Sequence, residues 1–179
     1  MTDDGPRQAG HDHRDRGVTV AVAELADLSG FLDLARPVEP WFGTMVGDAG
    51  FHAALERNIG RGTALCVRRD GGGGLRGGLM FKIVPHLCRI GWLVVSASDR
   101  GRGVGRALVE TAARPLGGRG VIEVITFAAG HPAARDSGAR AFYERLGFAA
   151  EEAAEDGPDG TPRQWYRMRL GGDYSSRRR

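Results

Sequence analysis

Residues 99–108 read DRGRGVGRAL, with glycines and arginines crowded between an apolar run and a helical pattern. A strand, a glycine turn and a helix in that order form an anion-binding arrangement. The first turn of a helix leaves backbone N–H groups unpaired, and the helix dipole adds partial positive charge there. A glycine turn lets a phosphate approach the main chain without a Cβ in the way. Arg100, Arg102 and Arg106 can add charge at the same point. Two common phosphate motifs do not fit. A Walker loop needs a lysine that this chain lacks. In a dinucleotide loop started at Gly101 or Gly103, the last glycine becomes Arg106 or Leu108. The pattern present is R-x-x-G-x-G, over Arg100, Gly103 and Gly105. It also fits a plain tight turn between a strand and a helix. GGGGLRGG is not a second such loop, because strand-like runs flank it and a hairpin accounts for it.

Other reactive residue types are sparse. Cys66 and Cys88 lie in strand-like runs without metal-ligand spacing, which predicts buried free thiols. His11 and His13 sit in a polar tail as HDH. His52 and His86 have no identifiable partner.

The elements that must position the loop follow from periodicity. VTVAVAEL reads as a first strand, and DLSGFLDLA as a helix capped by Asp27 or Ser29. RPVEPWFGTMVGD reads as a loop, and GFHAALERNI as a second helix. TALCVRR and GGLMFKIV flank the glycine-rich hairpin, and CRIGWLVV is a fourth strand. GVGRALVETAARPL is a third helix, ended by Pro115. GVIEVITFA is a fifth strand, and ARDSGARAFYERLGF a fourth helix with Gly147 as its stop. A polar hairpin and a last strand, WYRMRL, close the domain.

The 179 residues, 41% hydrophobic and 26% charged, suit one globular domain. Residues 1–16 and 173–179 are expected to be disordered tails around a folded unit at 17–172. The net charge is +3. Much of it comes from the C-terminal DYSSRRR, so the middle of the chain gives no electrostatic case for nucleic acid. No apolar run approaches the roughly 20 residues that span a bilayer, and a signal core is absent, which implies a cytoplasmic protein.

WLVVSASDRGRGVGRALVE resembles the acetyl-CoA loop of the GNAT N-acetyltransferases. ARAFYERLGF is similar to that family's A-x-x-x-Y-x-x-x-G-F helix. The two signatures occur in the family's order, and the order of elements agrees over about residues 18–170. The resemblance implies an α+β fold: one GNAT-type domain with a mixed central sheet of about six to seven strands, flanked by about four helices, with strands four and five splayed. It implies acetyl-CoA as acyl donor, with Gly101, Arg102, Gly103, Val104, Gly105 and Arg106 cradling its pyrophosphate beside Arg100. It implies that Leu93, Val94 and Val95 bond the pantetheine arm through their backbones, and that an N–H there stabilises an oxyanion. The reaction implied is direct attack by a primary amine, through a tetrahedral intermediate, without a protein nucleophile.

Tyr143 matches the family's frequent general acid; a phenol with a pKa near ~10 can protonate the departing thiolate or orient the sulfur. A core tyrosine is the plainer alternative. Where the family often has asparagine, this chain has Asp136, which accepts a hydrogen bond but cannot donate one when ionised; it could equally cap a helix. For the base, the end of the fifth strand offers His131, with Glu123 a weaker candidate and a water chain a third option. A plain loop histidine before Pro132 is the alternative for His131. No metal is implied. In the family the first two helices and their loop shape the acceptor pocket. Trp41 and Phe42 could line it here, and Glu39 or Asp48 could attract a cationic amine; the acceptor itself stays open. Homodimers are common among the proteins this chain resembles. A CoA-binding regulatory module without turnover, and an unrelated nucleotide-binding α/β protein, are the competing readings.

Overall fold

Seven strands in the order β1-β2-β3-β4-β5-β7-β6 make one mixed sheet. The structure is a computed structural model and describes residues 17–157 and 160–171. Both expected tails, 1–16 and 173–179, lie outside the described residues. The strands are β1 (Ala21–Val22), β2 (Ala64–Arg68), β3 (Leu75–Val84), β4 (Leu87–Val95), β5 (Gly120–Phe127), β6 (Ala149–Ala154) and β7 (Arg163–Leu170). The α-helices are α1 (Leu28–Ala35), α2 (Glu39–Phe42), α3 (Ala49–Gly60), α4 (Val104–Ala113), α5 (Ala133–Asp136) and α6 (Ala139–Leu146). Only α1, α3, α4 and α6 exceed one turn, in line with four expected helices.

The strand period of two sorts the core into layers. In β2, Leu65 and Val67 belong to the cluster built on α4 and α6, with Leu108, Val109 and Tyr143. Ala64 and Cys66 point the other way, into the cluster built on α1 and α3, with Phe31, Leu34 and Leu55. Strands covered on both faces read as continuous apolar runs, as TALCV and GGLMF do. Cys66 and Cys88 are buried free thiols, as expected.

Three local expectations need correction. The first strand is only Ala21–Val22, because its pairing with β2 stops after two residues. The loop after α1 contains the one-turn helix α2, which has a proline in its first turn, where the missing N–H costs nothing. The fourth expected helix is broken into α5 and α6 at Gly138, whose φ of 68° ends one helix and starts the next.

The pairing of β4 with β5 positions the site. The two run parallel from Leu87–Val121 to Ile90–Val124 and then separate. β4 stays paired with β3 as far as Val95, across a bulge in which Gly91 is the extra residue. β5 stays paired with β7 as far as Phe127. A bulge bends and twists its strand, and this one falls where β4 leaves β5. The expected splay of strands four and five is present.

Candidate active site

A cavity of about 420 Å³ lies along the split, lined by the end of β4, the start of α4, α6 and the α1–α2 segment. Its first wall is main chain. The Ser96 N–H donates to the Arg76 carbonyl (2.9 Å). By the alternation of an antiparallel ladder, Gly78–Val94 is then the next hydrogen-bonded pair, and Leu93 and Val95 turn their N–H and C=O groups away from β3. They face the side that β5 has vacated. This corrects the expectation for Val94: its polar backbone is committed to β3, and its side chain is buried under α1. The Val95 carbonyl accepts a long hydrogen bond from Arg100 Nε (3.4 Å).

The second wall is the turn into α4. Gly101 (φ 73°) and Gly103 (φ 79°) occupy the left-handed region, which L side chains enter at a cost of roughly 1–2 kcal/mol. Gly103 is the N-cap and offers no side chain to the helix. The N–H groups of Val104, Gly105 and Arg106 therefore lack intrahelical acceptors, and all three residues line the cavity. Gly105 is buried, and a Cβ there would lie 2.8 Å from two ring atoms of Phe142. Arg100 and Arg106 also line the cavity, whereas Arg102 is exposed and outside the lining. Three free donors, two guanidiniums and an unpaired strand edge form a fitting cradle for a diphosphate on an amide-bearing arm.

Sequence reasoning missed what holds that turn. Asp99, 4% exposed, receives Arg69 Nη2 (2.6 Å) and Arg76 Nε (2.8 Å) on separate oxygens, and Ser98 Oγ donates to it as well (3.1 Å). Burial pushes its carboxyl up, but the hydrogen bonds from Arg76 and Ser98 and the charge of Arg69 outweigh that and hold it below the ordinary value. The available signal was a lone acid in an arginine-rich loop with arginines bracketing the glycine hairpin.

The remaining candidates separate. Tyr143 lines the cavity, packs edge-on to Phe142 and Phe148, and has no hydrogen-bond partner for its hydroxyl among the described residues. Burial pushes its phenol above the ordinary value, so it stays protonated at neutral pH. Asp136 lines the cavity at the end of α5. It caps nothing: the N-cap of α6 is Gly138. His131 is not in the lining. Its Nδ1 accepts the Ala133 N–H (2.9 Å) and its ring stacks on Phe127 at 4.6 Å. An acceptor Nδ1 puts the proton of the neutral ring on Nε2, which is buried without a partner among the described residues. Glu123 is buried instead between Arg89 (2.5 Å) and Arg167 (3.1 Å). Trp41 and Phe42 do line the cavity. Glu39 accepts the Met45 and Val46 N–H groups (2.7 Å each), and Asp48 caps α3 through the Phe51 N–H, so both serve the backbone.

Split strands, an open helix N-terminus and a buried tyrosine meet in one cavity. The chain belongs to the GNAT acetyltransferases: the sequence model described as "Acetyltransferase (GNAT) domain" matches residues 47–150, and acetyl-CoA is the family's acyl donor. This removes the unrelated nucleotide-binding reading. Similar solved structures include the ribosomal-protein-S18-alanine N-acetyltransferase of Escherichia coli, at 18% identity over 85% of this chain and 93% of that one, with a TM-score of 0.61. PaiA N-acetyltransferase of Thermoplasma acidophilum, in complex with coenzyme A, gives 16% identity, 85% and 98% coverage, and 0.62. The ribosomal-protein-alanine N-acetyltransferase of Brucella melitensis gives 19%, 85% and 99%, and 0.64. At these identities the likeness is one of fold. No curated protein matches the chain significantly. Among the described residues no helix is long and apolar enough to cross a membrane.

Proposed function

We propose that this protein transfers an acetyl group from acetyl-CoA to a primary amine by direct attack of the amine nitrogen. Residues 17–172 are the catalytic unit in this reading. The observation that carries it is one cavity joining the free N–H groups of α4, the unpaired edge of β4 and the Tyr143 side chain.

Acetyl-CoA, when bound, supplies the activated thioester. The main chain of Val104, Gly105 and Arg106, with Arg100 and Arg106 as counter-charges, holds the diphosphate. Leu93 and Val95 present backbone donors and acceptors to the arm as an added strand would, and an N–H from the same edge stabilises charge developing on the carbonyl oxygen. Asp136 accepts from an arm amide. As the new C–N bond forms and the C–S bond breaks, the Tyr143 hydroxyl donates its proton to the departing sulfur. The amine's proton leaves to water in the open cavity, which returns a proton to the Tyr143 oxygen, since His131 holds its acceptor nitrogen against the backbone and Glu123 lies between two arginines. Neither cysteine takes part, since both are buried and neither lines the cavity.

The test is thiol release from acetyl-CoA with a panel of primary amines, alongside calorimetric binding of acetyl-CoA. Amine-dependent thiol release supports the transferase. Tight binding with no release across the panel would favour a regulatory module that binds the same ligand.

A further inference from the structure

Tyr143 lines the cavity, and no group among the described residues bonds its hydroxyl. The direction of that hydroxyl is therefore set by the neighbours of the ring and by the helix that carries it. That helix, α6, has eight residues and lies between two left-handed glycines, Gly138 (φ 68°) and Gly147 (φ 99°). These fix where the helix starts and stops and leave its rotation about its own axis to side-chain contacts. A tyrosine oxygen stands roughly 8 Å from its helix axis, so a rotation of about 10° carries it by more than ~1 Å. About 1 Å of misplacement can cost about 100-fold in rate.

The contacts that set this angle converge on Tyr166. It is fully buried in β7, with its ring centroid 6.3 Å from that of Tyr143. Its hydroxyl donates to Glu144 Oε1 (2.9 Å), on the residue that follows Tyr143. Arg140, one turn earlier, lies over the Tyr166 ring at 5.3 Å. Arg140 Nη1 also donates to the Phe127 carbonyl (3.1 Å) and to Gln164 Oε1 (2.9 Å), and Gln164 Nε2 donates to the Glu151 carbonyl (2.9 Å). Arg140, Tyr143 and Glu144 have the i, i+3, i+4 spacing that shares one helix face. Tyr166 thus grips the face from which Tyr143 projects, and Arg140 ties that face to the end of β5, across the split from β4.

We infer that Tyr166 is a positioning residue for the Tyr143 hydroxyl, acting through Glu144 and the ring contact; this rests on the transferase reading above. The test measures kcat and KM by thiol release with the most active amine of the panel, acetyl-CoA affinity by calorimetry, and Tm for each variant. Tyr166→Phe keeps the ring and loses the bond to Glu144. It should lower kcat about tenfold and leave KM and acetyl-CoA affinity unchanged. Glu144→Ala should lower kcat similarly, and Glu144→Gln, which keeps an accepting oxygen, should recover most of it. In a Tyr143→Phe background, Tyr166→Phe should change kcat by less than about twofold, because the group being aimed is already gone. A merely structural Tyr166 would lower Tm and act equally in both backgrounds. Equal loss of kcat in both backgrounds, or wild-type kcat in folded Tyr166→Phe, overturns this inference and leaves the transferase standing. If Tyr166→Phe does not fold, the half-exposed Glu144 decides: wild-type kcat in Glu144→Ala, or no recovery in Glu144→Gln, overturns it as well. Wild-type kcat in Tyr143→Phe removes the proton donor and this inference with it, and an absence of amine-dependent thiol release in the unaltered protein overturns the transferase too.

Discussion

Gly105→Ala tests whether the start of α4 and the Phe142 ring share the wall that holds the cofactor arm. A Cβ at Gly105 would sit 2.8 Å from Phe142 Cε2 and Cζ and 3.5 Å from Val95 Cγ2. Carbon pairs prefer about 3.5–4.0 Å, so the ring must retreat by roughly 1 Å. Tyr143 packs edge-on against it with centroids 5.1 Å apart, which leaves the cavity as the direction of retreat. Overpacking of this kind costs about 1–3 kcal/mol, and alanine returns up to about 1 kcal/mol of helix propensity. The net loss of stability is about 0–2 kcal/mol, a fall in Tm of a few degrees at this size. Acetyl-CoA affinity should fall more than stability, by about 10- to 100-fold, because the ring occupies the space the arm needs. Calorimetry on Gly105→Ala, Phe142→Leu and the double variant forms the cycle. Leucine lacks the two ring atoms that collide, so the double variant should bind better than the two single losses would sum to. Wild-type affinity in Gly105→Ala, or strict additivity in the cycle, would refute the shared wall.

Tyr143→Phe should lower kcat about 100-fold with acetyl-CoA affinity and Tm unchanged, since no group among the described residues bonds the hydroxyl; retained kcat in steady-state assays would remove the proton-donor role. Gly103→Glu should abolish measurable acetyl-CoA binding, because it forces an acidic side chain into a left-handed turn (φ 79°) facing the diphosphate. Asp99→Asn leaves two arginines on a neutral amide and should cost about 1–3 kcal/mol, less than breaking a fully buried pair because both guanidiniums are partly exposed; it should also weaken acetyl-CoA, and an unchanged urea midpoint would count against the clamp. Alkaline pH should destabilise the fold. Burial raises both thiols from 9.0 to about 11, and Tyr166 to about 12, so the native state holds protons that the unfolded chain has released. Stability is therefore intact below about pH 8 and falls from pH 9 to 11 by about 2 to 3 kcal/mol per thiol. Urea titrations under reducing conditions at pH 7, 9 and 10.5 would disprove this if the midpoint stayed flat.

The legible parts of the sequence were those fixed by short-range rules. Gly101 and Gly103 announce a turn that only positive φ can make, and the period of Phe142, Tyr143 and Leu146 places α6 on the core. The apolar runs TALCV and CRIGWLVV reveal strands. What was not legible depends on partners distant in sequence. Val94 sits between two residues whose backbones face the gap, but its own bonding is set by Gly78, and only the register shows it. Glu123 alternates like an exposed strand residue, yet Arg89 and Arg167 from the neighbouring strands close over it. His131 has the right chemistry for a base. What the sequence does not show is a contact two residues away, where the Ala133 N–H donates to its Nδ1.

The split itself requires rigidity on both sides. A strand edge with unsatisfied N–H and C=O groups invites closure or pairing with another chain, and such groups cost free energy unless water or a ligand meets them. β4 cannot swing back to β5, because it stays zipped to β3 through Val95 beyond the Gly91 bulge. β5 cannot follow β4, because its other edge is paired with β7 along its whole length. The glycine hairpin completes the restraint. Arg69 and Arg76 bracket DGGGGL, and Asp99 receives both guanidiniums, so the turn into α4 is tied to the same β2–β3 unit that holds β4. Residues 70–74 can therefore be exposed and glycine-rich without loosening the site, because the two arginines are fixed by the strands and by Asp99. The donors of Leu93, Val95 and Val104 to Arg106 stand on a single rigid frame. A ligand that matches them is bound with little ordering of the protein, as a preorganised site requires.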